Sequence, residues 1–299
     1  MNFKERAIAF GCHDATLYGI VSVPEQVSRR GVLIVVGGPQ YRVGSHRQFT
    51  LLARSLAAQG IAAMRFDYRG MGDSDGAVRT FEDVDEDLRA ALDGFCGAVP
   101  GLDQVVLWGL CDAASAALFY AGQDARVCGL VLLNPWVRTS EGIAKTTLKH
   151  YYRDRLLQPE LWKKILSGRF DYGAAIGSFT RLLGAASGAK PAPSESVAAA
   201  PDAPAVVTAP PRAVANLALP QRMLDGMTGF GGKVLLILSG ADLTAQEFSD
   251  MAKRSRAWRA ALASSRVTRH TLAAADHTFS RREWRDQVAT WTADWTKSW

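Results

Sequence analysis

The sequence predicts an α/β fold: a mostly parallel central sheet flanked by helices, interrupted by one long helical insertion. Three observations predict it. Continuous apolar runs recur at Gly31–Val36, Ile61–Phe66, Val105–Leu107, Val127–Leu133 and Lys233–Leu238, each running into turn residues. Helical periodicity alternates with them, as at 46–59, 82–96 and 245–263. The alternation stops after Trp136 and resumes at 232, which divides the chain into a two-part main domain, 1–136 and 232–299, and an insertion, 137–231.

In order, residues 5–10 and 15–23 read as an antiparallel hairpin at a sheet edge, turning at Cys12-His13-Asp14. The helix from His46 to Gln59 buries Phe49, Leu51, Leu52 and Leu56 and ends at Gly60. The helix at 82–96 has an acidic start (Glu82, Asp83, Asp85, Glu86, Asp87), as the helix dipole prefers. After the insertion, a short helix is expected at 217–227, a strand at 266–272 and a Trp-rich helix at 280–296. The insertion is read as a cap over the strand C-termini, where open α/β sheets bind ligands. Its part 184–212 is Ala/Pro/Ser-rich and reads as disordered.

Composition narrows the function. The chain has 299 residues, 48% of them hydrophobic, enough for one large core. No apolar run approaches a membrane span, and Met1–Arg6 lacks the apolar core of a signal peptide, so a cytoplasmic protein is expected. The four cysteines, Cys12, Cys96, Cys111 and Cys128, form neither a CxxC pair nor zinc spacing, so reduced thiols without a metal are expected. No nucleic-acid motif and no cofactor fingerprint is present. The net charge of +6 is concentrated at 138–183, where nine basic residues face four acidic ones among interleaved aromatics. Besides a solvated helical face, that pattern fits an approach surface for an anionic amphiphile or for a membrane surface.

The chemistry centres on VVLWGLCDAASAA (105–117). A buried strand turns there into a small-residue helix, with Cys111 at the nucleophile position of a G-x-Nuc-x-G elbow and Ala113 in place of the last glycine. Such a turn strains the nucleophile's backbone and sets the sulfur at a helix N-terminus, whose positive end favours an anion. Cys111, Asp242 and His277 follow in the order nucleophile, acid, histidine, each just past a predicted strand. His277 is then the proton acceptor, and Asp242 orients it. Glu247 is the reserve acid. The oxyanion calls for backbone donors: the amide of Asp112, and one from the loop after Gly31–Val36, placed at Gln40 because Pro39 has no N–H. The Asp112 side chain is expected to turn away and cap the helix. Tyr41, His46 and Trp136 are the candidate substrate-binding residues. Asp67–Ser74 reads as a structural turn with Arg69 tying loops together.

The motifs GGPQYRVGSHRQF (37–49), DYRGMGDS (67–74), WGLCDAASAAL (108–118), GADLT (240–244) and ADHTF (275–279) resemble those of the α/β-hydrolase superfamily. More narrowly, they resemble the type 1 hydrolases associated with the exosortase A system, found beside genes for exopolysaccharide synthesis and PEP-CTERM protein sorting. That resemblance implies a hydrolase fold and a nucleophile–histidine–acid site. A cysteine nucleophile passes through a thioester, so transfer to another acceptor rivals hydrolysis. The expected substrates are small-molecule or carrier-bound esters and thioesters. Two other readings are carried alongside: a catalytically weak binding module of the same pathway, and a small-molecule lactonase similar to dienelactone hydrolases. Oligomeric state is not legible.

Overall fold

The computed structural model describes residues 2–38, 40–137 and 218–299. Met1–Val137 and Arg222–Trp299 make one compact unit, and the structure below is of that unit. The expected cap, with its basic stretch 138–183 and the low-complexity stretch 184–212, lies outside the described residues.

Eight strands form one sheet in the order β1-β2-β4-β3-β5-β6-β7-β8. β1 (Phe3–Cys12) and β2 (Ala15–Pro24) are the expected hairpin, β1 longer at both ends and β2 by one residue at its C-terminal end than their alternation suggested. β2 also runs antiparallel to β4 (Ala62–Phe66). From there, β3 (Arg30–Val35), β4, β5 (Gln104–Leu110), β6 (Val127–Leu133), β7 (Lys233–Ser239) and β8 (Val267–Leu272) pair in parallel. Burial explains the composition. β3, β5 and β6 are covered on both faces and read as unbroken apolar runs, whereas the edge strands β1 and β8 expose alternate residues. The strand order reverses direction at β3, which lies between β4 and β5, and so opens a crevice beside the ends of β3 and β5.

The helices are α1 (Gln48–Ala58), α2 (Asp85–Ala98), α3 (Asp112–Tyr120), α4 (Leu219–Gly229), α5 (Leu243–Arg254), α6 (Arg256–Leu262) and α7 (Arg282–Lys297). α4 approaches α3 at Gly226, where a Cβ would stand 2.3 Å from the Leu118 carbonyl oxygen. That approach excludes any larger residue.

Three helix expectations are corrected. The helix expected at 245–263 is two helices, α5 and α6, because Ser255 adopts an extended conformation and its hydroxyl caps the Trp258 amide at 3.3 Å. The first turn of the helix expected from His46 is a 3₁₀ turn, Ser45–Arg47, with His46 and Arg47 at positive φ. α2 starts at Asp85, so Glu82 and Asp83 precede it, and Asp87 serves more than the dipole. It is fully buried and accepts both the Arg69 amide and its guanidinium at 2.8–3.1 Å. Arg69 thus ties the turn after β4 to α2, as expected.

Candidate active site

The site begins with a constrained turn. β5 ends at Leu110, and Cys111 sits at φ 64, ψ −123, a region a non-glycine residue adopts only when its surroundings impose it. Four contacts impose it here. The Cys111 amide donates to the Leu133 carbonyl at 2.8 Å. Its carbonyl accepts from the Ala114 and Trp136 amides, both at 3.1 Å. The Ser115 hydroxyl donates to the Trp136 carbonyl at 2.8 Å. Gly109 makes room for the turn, because a Cβ there would lie 2.5 Å from the Ala113 carbonyl group. Trp136, expected to touch substrate, is thus joined to the elbow through its backbone.

Asp242 and His277 arrive from the ends of β7 and β8. Asp242 caps α5, accepting the Thr244 and Ala245 amides at 3.2 and 3.0 Å. Its Oδ2 lies 2.9 Å from His277 Nδ1. Burial works to raise the Asp242 pKa, yet the His277 bond and charge and the two amides outweigh it and hold the carboxyl below its ordinary value. His277 is pushed up to about 10, first by the bond to Asp242 and then by a bond to Cys111. His277 thus lies between Asp242 and Cys111. Glu247 is buried on α5, and the carboxylate that meets the histidine is Asp242.

The loops carrying acid and histidine are joined to each other. The Gly240 amide donates to Leu272 at 2.9 Å and the Ala241 amide to Ala275 at 3.0 Å. At Gly240 a Cβ would come within 2.1 Å of the Ala273 carbonyl oxygen. Asn134, which sequence reasoning passed over, links both to β6. It is buried, at φ 43; its side-chain oxygen accepts the Ser239 amide and its nitrogen donates to the His277 carbonyl, each at 2.9 Å. The signal for it was an asparagine at a strand end, a residue that tolerates the left-handed region.

In the loop after β3, the Gly38 amide donates to Asp112 Oδ2 at 2.8 Å, and Gln40 uses its side-chain oxygen to accept the Ser45 amide at 3.3 Å. One expectation is corrected: the Asp112 side chain does not turn away. Cys111 is the N-cap of α3, and the Asp112 carboxylate, besides taking the Ala113 amide at 3.0 Å, reaches back to the loop after β3. Burial raises the Asp112 pKa against the pull of those amides. Its neighbour Tyr68, buried at the end of β4, is also raised, by burial and then by Asp112. The Tyr68 side chain and the Asp112 carboxylate, rather than the Asp112 amide alone, thus belong to this corner of the structure.

Tyr41 and His46 are on the outside of this loop. Tyr41 is 44% exposed, with the Arg42 guanidinium 5.4 Å from its ring centroid. Arg42 anchors the loop: its amide donates to Asp67 at 2.6 Å and its side chain pairs with Asp67 and Asp73. His46 is exposed, within electrostatic reach of Asp276. The other cysteines differ from Cys111 in setting. Burial pushes the thiols of Cys12, Cys96 and Cys128 up. Among the described residues no cluster of three or more His, Cys, Asp or Glu is placed to hold a metal ion, and no helix is long and apolar enough to cross a membrane.

Residues 32–291 match the profile of the alpha/beta hydrolase family. The chain belongs to that family. The polyketide transferase claH of Penicillium crustosum is 28% identical over 130 residues, 42% of each chain. The quorum-quenching protein AidA of Acinetobacter baumannii (strain MDR-ZJ06) is 31% identical over 94 residues, 30% of this chain and 31% of that one. The chain thus matches less than half the length of these relatives. The Pyrococcus furiosus esterase Pf2001 has the same fold, with a TM-score of 0.62 at 14% identity, covering 99% of this chain and 92% of the esterase.

Proposed function

We propose that this alpha/beta hydrolase is a cysteine-dependent acyl hydrolase or acyl transferase acting on esters or thioesters. In this reading the Cys111 sulfur adds to the scissile carbonyl, forming a C–S bond and an oxyanion held by the Gly38 and Asp112 amides. The oxyanion collapses, the bond to the leaving oxygen or sulfur breaks, and His277 gives that atom its proton. Water or an acceptor hydroxyl then attacks the acyl-cysteine, its proton passing to His277, and the sulfur leaves. Asp242 holds the imidazole through Nδ1 and stabilises its charged form.

The observation that carries this reading is the bonded series from Cys111 through His277 to Asp242, with His277 pushed up to about 10. In that proposed relay His277 holds a proton at neutral pH, ready for the leaving group. Similarity to a protein named as a polyketide transferase supports transfer as well as hydrolysis. The motif resemblance to exosortase-associated hydrolases supports a cytoplasmic place alongside exopolysaccharide synthesis, with a small-molecule or carrier-bound acyl substrate.

Intact-protein mass after incubation with a panel of thioesters and activated esters tests the proposal. An acyl adduct on wild type and none on Cys111→Ala is the expected result. Added acceptor alcohols then separate transfer from hydrolysis. A folded wild-type protein that neither acylates nor turns over any member of the panel overturns it.

A further inference from the structure

The relay uses the backbone of Asp112 and leaves its carboxylate unexplained. That carboxylate is set into the oxyanion machinery, with Oδ2 on the Gly38 amide at 2.8 Å and Oδ1 on the Ala113 amide at 3.0 Å. Gly37 closes over it so tightly that a Cβ there would stand 2.1 Å from Oδ1. The titratable groups facing it are Tyr68 from the end of β4 and His277 from the loop after β8, with Cys111 preceding it in the chain. A negative oxygen therefore already occupies the amide that an acyl oxyanion needs, one residue from the nucleophile. Two anionic oxygens sharing one N–H repel each other. A substrate that offers the carboxylate another donor resolves the conflict.

We infer that Asp112 is the specificity-determining residue of the acyl site, selecting acyl groups that carry a hydroxyl or amine within about three bonds of the scissile carbonyl. Such a donor takes over the carboxylate and leaves the Gly38 amide to the oxyanion. A plain alkyl acyl group has nothing to offer it, and binding desolvates the carboxylate further without a new partner. Burial already raises the Asp112 pKa, the same desolvation that makes an incoming donor favourable. The inference rests on the acyl-cysteine chemistry proposed above.

The test compares the rates at which the butyryl and 3-hydroxybutyryl thioesters of N-acetylcysteamine acylate Cys111, in the full-length wild type, Asp112→Asn and Asp112→Ala. Alkylation by iodoacetamide, which forms no oxyanion, gauges the nucleophile alone. Wild type is expected to favour the hydroxyacyl group by about tenfold or more. In Asp112→Ala the preference falls to within about twofold, because the butyryl rate, taken relative to that variant's own alkylation rate, rises. Asp112→Asn keeps an acceptor and retains part of the preference, and it serves if the alanine variant does not fold. No preference in the wild type, or one that both variants leave intact, overturns the inference while the acyl-cysteine reading stands. If neither thioester acylates any variant and iodoacetamide still singles out Cys111, the acyl-cysteine reading falls and takes the inference with it.

Discussion

Asn134 holds His277 by its backbone: the Asn134 side-chain nitrogen donates to the His277 carbonyl at 2.9 Å, from a residue at φ 43 at the end of β6. Its oxygen takes the buried Ser239 amide at the end of β7. One side chain thus joins the end of β6 and the end of β7, from which Asp242 departs, to the loop that brings the histidine. Asn134→Ala leaves the Ser239 amide without an acceptor and puts a Cβ-bearing residue without a local bond in the left-handed region. The expected loss is about 2–4 kcal/mol of stability, read as a lower urea midpoint with unchanged slope. Asn134→Asp keeps the acceptor and loses the donor to His277, so its larger effect is expected on kcat rather than KM.

The His277–Asp242 pair makes stability depend on pH in two opposite directions. His277 is pushed up from 6.5 to about 10, so the folded state binds its proton more tightly than the unfolded chain does. Its contribution is complete below about 6.5 and declines to nothing as pH rises through about 10. Asp242 is held below its ordinary value, so its contribution is present above that value and is lost in acid as pH falls through the folded value. Urea unfolding of wild type and His277→Gln at pH 6, 8 and 10 should show the gap between them narrowing as pH rises. A gap that is constant or widens would show that the histidine does not gain its proton from the fold.

Thiol reactivity separates Cys111 from the rest. Cys12, Cys96 and Cys128 have their thiols pushed up by burial, whereas Cys111 bonds to a histidine that carries a proton. At pH 7, iodoacetamide followed by peptide mapping is expected to label Cys111 at least about tenfold faster than any other cysteine. His277→Ala should abolish that lead. Equal labelling of all four would count against a nucleophilic Cys111.

Two glycines give a stability contrast that packing alone decides. Gly109→Ala drives a methyl into the Ala113 carbonyl group and is expected to destabilise by about 3 kcal/mol or more, since backbone cannot move aside there. Gly97, near the end of α2, has nothing within 4 Å of an added Cβ. Gly97→Ala should stabilise by about 0.5 kcal/mol through the lost freedom of the unfolded chain. Thermal melts of the two variants in one buffer check both signs.

The strands were legible because burial on two faces leaves apolar runs that end where the sheet ends. The strand-end positions of Cys111, Asp242 and His277 were legible for the same reason, each falling just beyond such a run. The contacts that position them were not. That the Gly38 amide meets the Asp112 carboxylate follows from how the loop after β3 folds against α3. The inward turn of Asp112 depends on Gly37 and Gly38, some seventy residues away in the chain. Asn134 is an ordinary strand-end residue until β7 and the His277 loop are laid beside it. The break at Ser255 was closer to view, since a serine before an Arg-Ala-Trp turn is a capping residue, but helical periodicity ran through it.

Counted as degrees of freedom, the relay is smaller than its three residues suggest. Asp242 and His277 ride on loops stitched together at Gly240–Leu272 and Ala241–Ala275, and Asn134 fastens the histidine to the sheet. They turn as one body. The Cys111 backbone is pinned on the other side by Leu133, Ala114 and Trp136. What is left to adjust is the rotation of the sulfur about a single side-chain bond. The Cys111 sulfur can therefore turn about that bond without any strand, helix or loop having to follow.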